Sequence, residues 1–203
     1  MGQSDGSHRL GPYRDPQVDT QILAATRRLL VDRGYQRISM DAIAEAAGVS
    51  RPTIYRRWPS KAHVVYDAVY PDTAPRVEAT AANAFSEITG AIRGIFDAMG
   101  ERSAREAMPG LLADIRTDAS LHPKLAERHN VLVRAGIEGL LHRNAESMRD
   151  VDAGALLDLI VGAAICSLCM RDIDDVDTFV ESVTDILLHG VLKSPKPEDD
   201  ARD

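Results

Sequence analysis

Residues 39–61, SMDAIAEAAGVSRPTIYRRWPSK, run from Ser39 to Lys61 and decide the fold of this chain. They read as two short helices joined by a tight turn. Ile43, Ala44, Ala47 and Val49 point inward from the first helix and its turn, and Ile54 and Trp58 stand four residues apart on the second. Ser39 and Ser50 are placed to cap the two helices, since a serine hydroxyl accepts from the N–H groups that a first turn leaves over. Gly48 supplies the positive φ the turn needs. Pro52 falls in the first turn of the second helix, where its missing N–H costs nothing. This is the layout of a helix-turn-helix, whose second helix lies in the DNA major groove with its N-terminal residues against base edges. The face carrying Arg51, Pro52, Thr53, Tyr55, Arg56 and Arg57 fits that use better than it fits a merely solvated surface.

Working outward, residues 1–15 are rich in Gly, Ser, Pro and charge and predict a flexible arm, in which Arg9 and Arg14 could reach a groove. Asp15-Pro16 is a helix start, and Val18, Ile22, Ala25 and Leu29 form one apolar stripe that closes at Gly34. A further helix runs from Ser60 through Val64, Val65 and Ala68, and Pro71 to Pro75 marks the boundary after it. The division predicted is therefore an arm at 1–15, a DNA-binding domain at 16–70, a second domain at 71–193 and an acidic disordered tail at 194–203. The formal net charge of −7 divides unevenly. Residues 1–70 hold ten basic and seven acidic side chains, whereas residues 71–203 hold 14 basic and 24 acidic ones. A small basic module on an acidic body follows.

Beyond the boundary the pattern is helical throughout, so the fold class predicted is all-α. Val77, Ala81, Phe85, Ile88, Ile92, Ile95 and Met99 keep a 3.6-residue period. Ser103 and Glu106 resemble a capping box, and Pro109-Gly110 predicts an interruption or restart before a short helix carrying Leu111, Leu112 and Ile115. Pro123 can open another helix, with Leu125, His129, Leu132 and Gly136 on one face. The last two helices span about Asp152–Arg171 and Asp174–Leu192. The first of them is apolar nearly all round and must be covered on both sides. A chain of 203 residues has little core left to cover it, so Leu156, Ile160, Ala163, Ala164, Phe179, Val183, Ile186 and Leu187 are expected to meet a second copy of the chain.

From about Val18 to Tyr70 the chain resembles the N-terminal DNA-binding domain of TetR-family transcriptional regulators, through RGYQRISM, DAIAEAAGVS, RPTIYRRWPSK and the helix from Ser60. The resemblance implies four helices around the helix-turn-helix, then an all-helical domain that binds a small molecule and dimerises through its last two helices. It implies a ligand cavity in that domain, for which Phe96, Met99, Met108, Leu112, His129, Val133 and Met170 are the candidate lining. Asp41 stands near a position that the family pattern gives to a basic, base-reading residue.

Other chemistries find little footing. Cys166-Ser-Leu-Cys169 has no second ligand pair for a zinc site and is expected to be inert core. No nucleophile elbow, zinc-binding HExxH, phosphate loop or dinucleotide fingerprint occurs. No cofactor or metal is expected. The longest uncharged apolar run, Leu159 to Met170, is shorter than the ~20 residues of a membrane span, and a cytoplasmic protein is expected. The partners expected are a palindromic double-stranded DNA operator, a second copy of the chain and a small, largely apolar effector that releases a repressor. The rival reading is a helical ligand-binding or enzymatic protein with a non-functional DNA module. Arg51 is assigned to base readout, because its fork suits guanine O6 and N7. Pro52 and Thr53 are assigned to methyl contacts or, for Thr53, a phosphate. Ser39, Ser50, Tyr55, Arg56, Arg57 and Lys61 complete the DNA face, chiefly through phosphates.

Overall fold

The computed structural model describes residues 15–70, 83–123 and 133–190, and among these described residues there are nine α-helices and no strand. In chain order they are α1 Pro16–Arg33, α2 Met40–Ala47, α3 Arg51–Tyr55, α4 Lys61–Val69, α5 Ala84–Gly100, α6 Arg102–Thr117, α7 Ala135–Arg143, α8 Ala153–Ile165 and α9 Val176–His189. The all-α expectation holds. Residues 1–14 of the arm, the Pro71–Pro75 boundary, Val77, Ala81, Leu125, His129, Leu132 and the acidic tail lie outside the described residues.

Local signals act as the sequence suggests at most ends. Asp15 accepts from the Gln17 N–H at 2.9 Å and Ser39 from the Ala42 N–H at 3.2 Å, so two first turns gain an acceptor. Gly48 ends α2 at φ +66°, in the left-handed region that a side chain would resist. Ser50 departs from its expected role. Its hydroxyl bonds the Thr53 hydroxyl at 2.8 Å instead of a backbone N–H.

Two cores form, and α6 is the wall between them. The first gathers Ile22, Leu29 and Leu30 of α1, Ile43 and Ala44 of α2, Ile54 of α3, Trp58, and Val64 and Val65 of α4. It also includes Ala104, Ala107 and Leu111, which fall on one face of α6. The second core is built from Ile88, Ile92 and Phe96 of α5, Ile137 and Leu140 of α7, Ile160 and Ala164 of α8, and Val180 of α9, with Met108 from the flank of α6 beside Ala104. Burying each large aliphatic or aromatic side chain stabilises by about 1.5–3 kcal/mol, so α6 holds both cores with one set of turns.

The expected break at Pro109-Gly110 is absent, and α6 runs through both residues. An interior proline costs about 3 kcal/mol. Burial of Ala104, Ala107, Met108, Gly110 and Leu111 around it offsets that loss. Gly110 is there for space, because a Cβ would stand 2.6 Å from Cε1 of Tyr35 and closer still to its Cδ1 and Cγ. Nor is the capping box used: α6 starts at Arg102 after Glu101, and no side chain caps it.

The helix from Asp152 ends as α at Ile165 and widens into a π turn over Cys166–Met170. Residues Ala153–Met170 are long and apolar enough by composition to cross a membrane, yet Leu157, Ile160, Ala164 and Leu168 are buried in the protein's own core. The expectation of buried cysteines is corrected in part. Cys166 is exposed, and Cys169 is half-buried with its thiol pKa raised by burial.

Candidate nucleic-acid interface

Everything that shapes α3 lies behind it. Ile54 is fully buried, and Trp58, 2% exposed, donates its indole N–H to Asp67 Oδ2 on α4 at 2.6 Å. Arg57 is fixed from two directions: its guanidinium pairs with Asp19 of α1 and donates to the Thr53 carbonyl at 3.0 Å. Both charged side chains are largely withdrawn from solvent. Arg27 reaches across from α1 to the Ala68 carbonyl at 2.8 Å, which satisfies one acceptor at the end of α4. These cross-links make α1, α3 and α4 one rigid block.

The front of α3 faces solvent. Arg51, Pro52, Tyr55 and Arg56 are exposed, with Ser50 beside them and Thr53 half-buried. The Arg51 guanidinium lies 6.0 Å from the centroid of the Tyr55 ring, and its Nε is 2.5 Å from Oδ1 of Asp41. Ser39 is the last residue before α2 and is exposed next to Asp41. The structure therefore brings Ser39, Ser50, Arg51, Pro52, Thr53, Tyr55 and Arg56 to one surface.

Two expected DNA contacts are turned elsewhere. Arg57 is a structural cation, because its pair with Asp19 holds it against α1. Lys61 lies 4.0 Å above the Tyr35 ring and donates to the Tyr35 carbonyl at 3.1 Å, an arrangement that satisfies the ammonium inside the protein. Neither spacing nor composition points to these partners, since Asp19 and Tyr35 are 38 and 26 residues away in the chain.

Tyr35 is a structural residue behind this face that the sequence pattern did not reveal. It sits in a 3-10 turn between α1 and α2, is almost wholly buried, and lays its ring against Gly110 of α6. Its hydroxyl donates to Asp114 Oδ2 at 2.5 Å. Burial, followed by the Asp114 bond, holds the phenol pKa far above its ordinary value, so it stays a donor. One side chain thus touches α4 through Lys61 and α6 through both ring and hydroxyl. The Pro109-Gly110 pair was its only trace in the sequence, and that pair reads more naturally as a helix break.

The expected ligand lining does not assemble into one cavity. Phe96, Met99 and Met108 are packed in the second core, Leu112 and Met170 are exposed, Val133 is half-buried before α7, and His129 is outside the described residues. A cleft of about 660 Å³ opens instead beside α7 and α8, with Arg134, Glu138, His142, Arg149 and Asp152 among its walls. None of the seven expected residues belongs to it. Its walls mix those charged groups with Leu141, Ala145, Met148, Val151 and Ala153, a lining unlike the wholly apolar one anticipated.

The expected interface on the last two helices is also redistributed. Ile160 and Ala164 are buried in their own subunit's core, so they cannot meet a partner. Leu156, Ala163, Phe179, Val183 and Leu187 are half-covered, and Ile186 is 52% exposed. The open stripe of α8 is Ala155, Leu159, Gly162 and Cys166, with Leu159 at 62% exposure.

With that geometry established, comparison with known proteins gives a consistent result. Residues 22–67, which enclose α2, α3 and most of α1 and α4, match the profile of bacterial regulatory proteins of the tetR family. An uncharacterized HTH-type transcriptional regulator of Mycobacterium bovis is 29% identical over 187 residues, covering 87% of this chain and 89% of that protein. The crystal structure of a TetR family transcription regulator, SCO0332, superposes with a TM-score of 0.64 at 26% identity, covering 87% of this chain and all of that one. The regulator FadR from Bacillus subtilis, solved in complex with stearoyl-CoA, shares the fold at a TM-score of 0.61 and 18% identity, over 85% of this chain and 99% of that one.

Proposed function

Because the chain belongs to the TetR family of DNA-binding transcriptional regulators, we propose that it is a homodimeric repressor that leaves a palindromic operator when a small ligand binds its C-terminal domain. One observation carries this reading: an exposed reading surface is rigidly backed by α1 and α4, and those helices share their core with α6. Any ligand that shifts α6 therefore acts on the DNA block as a unit. Arg51 reads a guanine, and Pro52 and Thr53 contact neighbouring methyls or a phosphate. Ser39, Ser50, Tyr55 and Arg56 hold phosphates and set the register.

Dimerisation runs through the open stripe of α8 and the neighbouring face of α9. Apolar exposure at Leu159 and Ile186 supports it. The ligand is largely apolar, and because Phe96, Met99 and Met108 are packed together in the second core, that core must open to admit it. The acyl-CoA held by the FadR relative supports a ligand of that character. As a repressor the protein works in the cytoplasm, where its operator is, and it has no chemical step to catalyse.

Selection of bound sequences from a random duplex pool tests the reading. A palindrome is expected, with half-sites about 34–36 Å or more apart. Absence of any enrichment would favour the rival, a helical ligand-binding or enzymatic protein whose DNA module does not function.

A further inference from the structure

Arg51 and Asp41 make an ion pair that has no evident use in holding the fold. Both side chains are 59% exposed, and neither belongs to a core. An exposed pair of this kind contributes little to stability. Its cost to DNA binding is larger, since a carboxylate stands among residues that would approach phosphates. Only the pair makes electrostatic sense of Arg51, whereas Asp41 is favoured where it stands. Asp41 lies in the first turn of α2, where an acid is favoured, whereas Arg51 is the first residue of α3, where a cation is disfavoured. The carboxylate supplies what the start of α3 withholds.

We propose that Asp41 is a positioning residue that sets base specificity by holding the Arg51 guanidinium in its reading orientation. Asp41 takes the Nε side of the fork, at 2.5 Å, and the Tyr55 ring one turn along lies beside the guanidinium, 6.0 Å from its carbon. In this arrangement the end of the fork, with its two terminal nitrogens, serves the base. That end is the one with the geometry for guanine O6 and N7. A guanidinium held this way loses less rotational freedom on binding a base. It is also less available to swing onto a phosphate. Asp41 thereby lowers affinity for DNA in general and raises the ratio between right and wrong sequences. The inference rests on the assignment of Arg51 to base readout.

The test uses the full-length chain, the duplex enriched from the random pool, the same duplex with its guanine pair exchanged, and an unrelated duplex, each titrated over salt. Arg51→Ala should reduce discrimination at one pair per half-site by about fivefold or more. Asp41→Ala should tighten binding to the unrelated duplex, steepen its salt dependence by about one unit, and reduce discrimination at the same pair by about threefold or more. Asp41→Asn loses the charge but keeps an acceptor for Nε, so its discrimination should fall between wild type and Asp41→Ala. Adding Asp41→Ala to Arg51→Ala should cost no further discrimination. If the Asn and Ala variants discriminate equally, Asp41 acts by charge alone and the positioning role is overturned while Arg51 remains a reader. If Arg51→Ala leaves every base preference intact, the reading of Arg51 falls and the role of Asp41 falls with it. Thermal unfolding checks that each variant is folded, and Asp41→Asn serves where the Ala variant melts early.

Discussion

Substituting Gly110 by alanine should destabilise the protein, although alanine is the better helix former. Within a helix, Gly→Ala is worth about 1 kcal/mol in favour of alanine. At Gly110 the new methyl would stand 2.6 Å from Tyr35 Cε1, with two other ring carbons nearer. The backbone of α6 is pinned because its buried residues enter both cores, so the ring must move. Overpacking of a core costs about 1–3 kcal/mol. Displacing the ring also sacrifices the Tyr35 hydroxyl bond to Asp114, and bonds to charged groups are worth about 1.5–3 kcal/mol. After the propensity gain, the net loss is about 1.5–5 kcal/mol. For a chain of this size that lowers the melting temperature by roughly 3–20 °C. Gly90 is the matched control, lying inside α5 where an added methyl would meet nothing within 4 Å. Gly90→Ala should raise the melting temperature by a few degrees, reflecting about 0.4–1 kcal/mol. Differential scanning calorimetry on both variants decides the matter. A Gly110→Ala protein as stable as Gly90→Ala would refute the wedge between Tyr35 and α6.

Three further outcomes are expected. Arg57→Ala should lose about 3 kcal/mol of stability by removing the cation from a largely buried pair with Asp19, whereas Arg56→Ala should leave melting unchanged and reduce the salt slope of DNA binding by about one; Trp58 fluorescence follows the first, because the indole is buried in the domain. Leu159→Asp should give a folded monomer in sedimentation, whereas Ala164→Asp should unfold the subunit, since Ala164 has no exposed surface; a wild-type monomer at micromolar concentration would overturn the proposed interface. Arg143, then Asn144, hold the Glu87 carboxyl pKa below its usual value, so this acid stabilises the fold above the unfolded pKa of about 4.3, and its contribution is lost as pH falls through the lower folded value; melting curves from pH 7 to 3 should show a shallower acid limb for Glu87→Gln than for wild type.

What could be read from the sequence was set by how local the cause is. Ser39, Gly48, Asp15 and Pro16 act within a turn of themselves, and their positions in the structure follow from that. The apolar period of α5 and α9 likewise needs no knowledge of the partner helix. Long-range partners leave no such trace. Arg57 and Arg56 are adjacent and chemically alike, and only Asp19 on α1 makes one structural and leaves the other exposed. Met108 and Leu112 share a face of α6, yet one enters the second core and the other meets solvent, because neighbouring helices cover only part of that face. Pro109-Gly110 misled for the same reason: the ring that needs the missing side chain comes from residue 35.

The five residues of α3 separate two duties with unusual cleanness. Ile54, and beyond the helix Arg57 and Trp58, bind it to the block, while Arg51 pairs with Asp41 and Thr53 with Ser50 on the outer face, beside exposed Pro52. Exchanging the outer residues would leave every inward anchor in place. Such a chain can acquire a new address on the genome without relearning how to fold. The same separation offers a handle for building regulators to order: graft a different outer face, carry residue 41 along with it, and leave the indole and the buried guanidinium alone.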